Sequence, residues 1–149
     1  MAAEPASPRG RLLLAPLARY DDAVLALMRM LVGAFLVWGV ADNIVSPERM
    51  REFEQFLGNF GFAWPRMMAP LSVWAQFFVG IAFVVGLLTR WAGIVCALNF
   101  SVALVMVDAP NGIRAAYPAA SLVLIGALLA TRGAGRYSLD ALLARRGRA

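Results

Sequence analysis

The stretch Pro70–Val107, PLSVWAQFFVGIAFVVGLLTRWAGIVCALNFSVALVMV, decides the fold. Arg90 is its one charge, and its other polar side chains are Ser72, Gln76, Thr89, Asn99 and Ser101. A bilayer core about 30 Å thick needs roughly 20 such residues to cross it as a helix. The stretch therefore holds two spans, Pro70–Leu88 and Trp91–Val107. Thr89-Arg90-Trp91 joins them in a hairpin too short to be anything but a tight connection. Span 3 carries Gly93, Ala97 and Ser101 at four-residue spacing, a small-residue stripe that lets helices approach closely.

Working outward, a second pair of spans flanks the first. Upstream, Val24–Val45 is apolar apart from Arg29 near one end and Asp42 near the other. Asp21 and Asp22 supply a helix-starting cap and first-turn charge. Downstream, Ala115–Thr131 has Tyr117 and Pro118 near its start and Gly126 inside. Asp108-Ala109-Pro110-Asn111-Gly112 reads as the intervening turn. A cleaved signal peptide with small residues Gly39 and Ala41 at its end competes for the first run. The long polar leader, Arg29 and Trp38 argue against it.

The segment from residue 46 to 63 is different in kind. Ser46-Pro47-Glu48 is a helix start with a capping residue, a proline at the first position and an acid after it. Met50, Phe53, Phe56, Leu57 and Phe60 recur at helical spacing against a face of Glu and Arg. An amphipathic helix over 47–60 is predicted, too charged to span and suited to an interface. The fold class is thus all-α: an integral membrane four-helix bundle with an added interfacial helix between spans 1 and 2. Residues 1–22 and 132–149 are polar, Arg-bearing tails around a membrane domain of 23–131, and Ser138 caps a short helix in the second tail.

Bulk composition agrees. Of 149 residues, 61% are hydrophobic and 15% charged, with a mean hydropathy of +0.69. A soluble domain has about 45–50% apolar and about 25% charged residues. The sequence has no His, no Lys and one cysteine, Cys96. His-ligated metal, Ser-His-Asp catalysis, Schiff-base chemistry and an internal disulfide are excluded within it. A pI near 10.6 suggests nucleic acid at first sight, but the arginines flank apolar runs and no nucleic-acid partner is expected. Nine arginines lie on the side of both tails (Arg9, Arg11, Arg19, Arg90, Arg132, Arg136, Arg145, Arg146, Arg148) and four on the other (Arg49, Arg51, Arg66, Arg114). The positive-inside rule then puts both termini in the cytoplasm.

The order of these features resembles the DoxX family. The matching pieces are Arg29, Gly33 and Gly39 in span 1, then Gly80 and the run Gly86-Leu87-Leu88-Thr89-Arg90-Trp91-Ala92-Gly93. The ending Gly135-Arg136-Tyr137-Ser138-Leu139-Asp140 is similar to the family's. The resemblance covers about residues 24–141. It implies a four-helix protein of the bacterial inner membrane, and a non-enzymatic accessory or anchoring subunit of a quinone-linked or thiol and oxidative-stress redox complex. Relatives often carry an acid where this chain has Gln76, and a Lys where it has Asp42. Any ion or proton work those groups do is in question here.

Candidate site residues follow from polar or aromatic groups at membrane depth. Arg29 either snorkels to the headgroups or hydrogen-bonds a quinone carbonyl or anionic headgroup. Asp42 is a solvated helix end, a proton acceptor, or a partner for Arg49 or Arg51. Gln76 shares a stripe with Gly80, Phe83 and Leu87 and is expected to face the bundle, where it and Asn99 bond between helices or face a ligand. Trp38 and Trp74 lie at a depth where they can share a pocket with Asp42 and Gln76. Trp64 and Trp91 read as interfacial belt residues, and Cys96 as packing. No intrinsic cofactor is expected beyond a quinone. The expected partners are the bilayer and redox-complex subunits, and a homo-oligomer is compatible with the sequence. A small transporter and a purely structural assembly protein stay open as alternatives.

Overall fold

A computed structural model describes residues 14–146. After a short 3-10 turn at Ala15–Tyr20, the helices are α1 (Asp21–Val45), α2 (Pro47–Asn59), α3 (Pro65–Val85), α4 (Thr89–Ala103), α5 (Ile113–Arg132) and α6 (Leu139–Arg146). α4 runs on through a π-helical turn, Leu104–Asp108, and a 3-10 turn, Ala109–Asn111. No strand occurs among the described residues. Four stretches are long and apolar enough to cross a membrane: Leu17–Val45, Pro65–Val85, Thr89–Asn111 and Ile113–Arg132. Their outward faces carry large apolar side chains such as Leu31, Phe35, Leu98 and Leu124. That surface is a liability in water and the matching one in lipid.

Local chemistry sets the helix boundaries. Ser46 caps α2, its hydroxyl accepting the Arg49 N–H at 3.4 Å, with Pro47 at the first position. α3 starts at Pro65, five residues before the expected Pro70. Trp64 adopts a left-handed conformation (φ 52°) that turns the chain, and Pro65 supplies the preset φ of a first helical position. Pro70 lies inside α3, one turn beyond its start, and leaves the Arg66 carbonyl without the usual i→i−4 donor. The segment expected as a turn, Asp108–Gly112, is helical up to Asn111. The chain reverses at Gly112, whose φ of 89° needs glycine.

The bundle is built as two close pairs, α1 with α3 and α4 with α5, joined mainly through α3 and α4. Each pair crosses at glycines. A Cβ on Gly33 would sit 2.6 Å from the Gly80 carbonyl oxygen, and one on Gly80 would sit 2.7 Å from that of Gly33. In the second pair, a Cβ on Gly93 would meet the Gly126 oxygen at 2.6 Å and one on Gly126 the Gly93 oxygen at 2.8 Å. The stripe Gly93–Ala97 is therefore used inside the chain, against Gly126 and Ala130. Among lipids, where burying apolar surface gives helices little reason to associate, this backbone approach supplies dispersion contact that larger residues prevent. A core of Leu25, Leu36, Val79, Phe83, Cys96 and Leu129 fills the space between the pairs.

Both crossings lie towards the end of the bundle where α1 begins and α5 finishes, here the tail side. An arginine closes each pair there. Arg29, 1% exposed, donates through Nη1 to the carbonyls of Phe83 and Val84 in the last turn of α3. Arg90 donates through Nη1 to those of Ala130 (3.1 Å) and Thr131 in the last turn of α5. Those carbonyls have no partner within their helices, and a cation there also meets the negative end of the helix dipole. The two halves thus repeat one device: an arginine just ahead of the crossing glycine caps the partner helix.

The chain after α5 locks this end. Arg29 Nη2 donates to the Tyr137 carbonyl at 2.8 Å. The Asp140 carboxylate accepts the N–H groups of Leu88 (2.8 Å) and Thr89 (3.0 Å), capping α4, while its own N–H donates to the Gly86 carbonyl at 2.9 Å. Ser138 Oγ accepts the Ala141 N–H at 3.1 Å at the start of α6, as the sequence led us to expect. Arg132 pairs with Asp21, and Asp22 accepts the Arg136 N–H at 3.2 Å.

Candidate functional site

Pinned by glycines at the tail side, the helix pairs leave room at the opposite end, here the α2 side. α2 lies across that end, packed on α3 and α1. Beneath it, between α2, α3 and α4, is a cavity of about 600 Å³. Phe53, Phe56 and Leu57 of α2 line one wall, so the apolar face of the amphipathic helix covers a hollow as well as packing on its neighbours. Phe62 and Phe100 add aromatic surface, and Ser72, Gln76, Asn99 and Asp108 supply the polar groups.

The polar groups of α3 and α4 are joined. Ser72 and Gln76 are one turn apart, and the Gln76 Nε2 donates to Ser72 Oγ at 3.1 Å. Ser72 Oγ in turn donates to Asn99 Oδ1 across the helices at 2.9 Å. Gln76 Oε1 and Asn99 Nδ2 have no partner among the described residues. One spare acceptor and one spare donor therefore stand on the wall of an apolar hollow. A second cavity of about 290 Å³ lies towards α1 and α5, lined by Phe35, Leu36, Gly39, Pro118 and Leu122 among others. Gln76, Phe100, Ala103 and Asp108 line both cavities.

Of the six residues singled out from sequence, the structure brings together Gln76 and Asn99. Gln76 faces the bundle, as its stripe with Gly80 and Phe83 implied. Arg29 lies at the opposite end, buried on main-chain carbonyls, and neither snorkels nor lines the cavity. Trp38 is 77% exposed on the lipid face of α1. Trp74 also faces outward, stacked on Phe78 and edge-on to Phe77, each at a centroid distance of 5.7 Å. Asp42 is exposed at the end of α1 and forms no ion pair among the described residues; Arg49 pairs with Glu52 at 3.0 Å instead. Its neighbour Asn43 makes the α1–α2 tie, donating to the Arg49 carbonyl at 3.1 Å. Trp64 and Trp91 are exposed at span ends, as belt residues are. Sequence reasoning missed the joining role of Ser72 and missed Asp108, which it placed in a turn. No group of acids, cysteine and histidine suited to a metal occurs among the described residues.

A family model described as DoxX matches residues 24–109. The match spans Arg29, all the polar cavity residues and the Gly86–Gly93 hairpin, and stops before the tail that locks against them. No curated protein and no solved structure matches the chain.

Proposed function

The chain belongs to the DoxX family, and from that premise we propose that it is a non-catalytic membrane subunit that holds a quinone for a redox complex. One observation carries the reading: the cavity of about 600 Å³ with its joined Ser72–Gln76–Asn99 wall. Ligand pockets are concave and mostly apolar, with a few placed polar groups. A quinone has an apolar ring and tail with two oxygens, and supplies two-electron transfer coupled to protons. The residues fit it: Asn99 Nδ2 can donate to a carbonyl oxygen, Gln76 Oε1 can accept from a hydroxyl, and the phenylalanines can flank a ring. Electrons come from a partner and go to the held quinone; with Cys96 its one cysteine, the sequence has no cysteine pair to carry them.

The closed tail side supports holding over transport. A path across the membrane would have to pass both glycine crossings and the buried Arg29 cap. The excess of tail-side arginines supports both tails in the cytoplasm; in the bacterial inner membrane that the family resemblance implies, the cavity then lies towards the outer leaflet. Purification in mild detergent, organic extraction and a reduced-minus-oxidised spectrum test the reading. Quinone near one per chain in the wild type, lost in Gln76→Leu/Asn99→Leu, is expected. A quinone-free wild type, or full occupancy in the double variant, overturns it.

A further inference from the structure

The sequence places no function on Asp108, yet the fold sets it where the two cavities meet. A regular α-helix would put residues 106 and 107, three and four after Ala103, on the Ala103 face. α4 instead opens into a π-helical turn over Leu104–Asp108, closed by the Ala109 N–H donating to the Leu104 carbonyl five residues back. The wider turn adds a residue to the register and carries Asp108 onto that face. It lines both cavities with Gln76, Phe100 and Ala103. Asp108 is half-buried, and its carboxylate has no hydrogen-bond or ion-pair partner among the described residues. π-turns of this kind are rare and concentrate at functional sites.

A carboxylate presents acceptor oxygens, whereas the Gln76 and Asn99 amides each offer a donor as well as an acceptor. A ligand head at the junction therefore meets an acceptor that only a ligand donor can satisfy. An oxidised quinone has two carbonyl acceptors and no donor; its reduced form has two hydroxyls. We propose that Asp108 makes the site selective for the reduced, hydroxyl-bearing form of an apolar-tailed aromatic ring, a hydroquinone, over the oxidised form. The inference rests on the quinone-holding reading above and adds its redox preference. The hydroxyl donates to Asp108, while a carbonyl at the same place meets like-signed partial charge. The apolar surroundings strengthen both effects.

The test is anaerobic calorimetry on the purified full chain in nanodiscs, with a decyl-substituted hydroquinone and its oxidised quinone as probes. The wild type is expected to bind the hydroquinone about tenfold tighter, the size of one charge-assisted hydrogen bond. In Asp108→Asn the ratio is expected to fall to within about twofold, because an amide satisfies either form. Helix content and elution profile check that the variant is folded, and Asp108→Glu, which keeps the carboxylate, is expected to retain part of the preference. Equal binding of both forms by the wild type, or an unchanged ratio in Asp108→Asn, overturns the preference and leaves the quinone-holding reading standing. Binding of neither form overturns that reading and the preference with it.

Discussion

Arg29 donates a 2.8 Å hydrogen bond to the main-chain carbonyl of Tyr137, 108 residues further along the chain. The same guanidinium serves the end of α3, so one side chain in span 1 holds three distant pieces together. Arg29→Ala leaves the Phe83, Val84 and Tyr137 carbonyls without that partner. At about 1–3 kcal/mol for a buried polar group left unpaired, we expect a loss of about 3 kcal/mol or more. Arg29→Lys keeps the charge without the fork and is expected to lose less, about 1–2 kcal/mol. Thermal melts in detergent measure the loss, and trypsin cleavage at Arg132 and Arg136 should accelerate as the tail is freed. An Arg29→Ala protein as stable as wild type contradicts the capping role.

The glycine crossings predict a sharp contrast between two glycines of α1. Gly33→Ala drives a methyl group into the Gly80 carbonyl and should cost about 1–3 kcal/mol as the pair moves apart. A Cβ on Gly39 meets nothing within 4 Å. Gly39→Ala should therefore be neutral or stabilise by up to about 1 kcal/mol through helix propensity. Melting temperatures in the expected order are Gly33→Ala, then wild type, then Gly39→Ala; equal effects of the two substitutions contradict the crossing.

Asp140 caps a helix that lies far from it in sequence. Asp140→Ala removes the acceptor for the Leu88 and Thr89 N–H groups and should cost about 1 kcal/mol. Asp140→Asn keeps a capping oxygen and should cost less. Amide exchange at Leu88 and Thr89 reads the cap directly, and protection unchanged in Asp140→Ala would rule it out.

The orientation proposed from arginine counting can be checked by labelling. In a Cys96→Ala background, a cysteine at Gln55 on α2 should react with a membrane-impermeant maleimide added to intact spheroplasts. A cysteine at Arg145 should react only after lysis. The reverse pattern inverts the topology and moves the cavity to the inner leaflet.

These features differ in how far the sequence disclosed them. α2 was readable because Ser46-Pro47-Glu48 marks its start and its phenylalanines alternate with charge. Gln76 was readable because Gly80 and Phe83 fix one stripe of α3. Trp38 and Trp74 were not. Position along a span gives depth, but a span apolar all round has no contrast to orient it. Trp38 is two residues, about 200° of turn, from the buried Leu36, and so faces lipid. Arg29 was recognised as costly but not placed, since its partners are main-chain carbonyls that carry no residue signature. The motifs around Gly86–Gly93 and Gly135–Asp140 looked like separate family marks. They are one contact: a Cβ on Gly86 would lie 2.6 Å from the Ser138 side chain, and Asp140 bonds Gly86, Leu88 and Thr89. The extra residue of the π turn, which carries Asp108 into the site, leaves no trace in an apolar run.

On our proposal a quinone is held between α2, α3 and α4, at the end of the bundle that α2 covers. Photolysis of the purified chain with an azido-quinone, followed by peptide mapping, tests it most directly. Cross-links are expected to concentrate in residues 53–62, 68–76 and 99–108, suppressed by Gln76→Leu and unaffected by Trp38→Leu. Cross-links confined to the lipid-facing surfaces around Trp38 and Trp91, indifferent to Gln76→Leu, would contradict it.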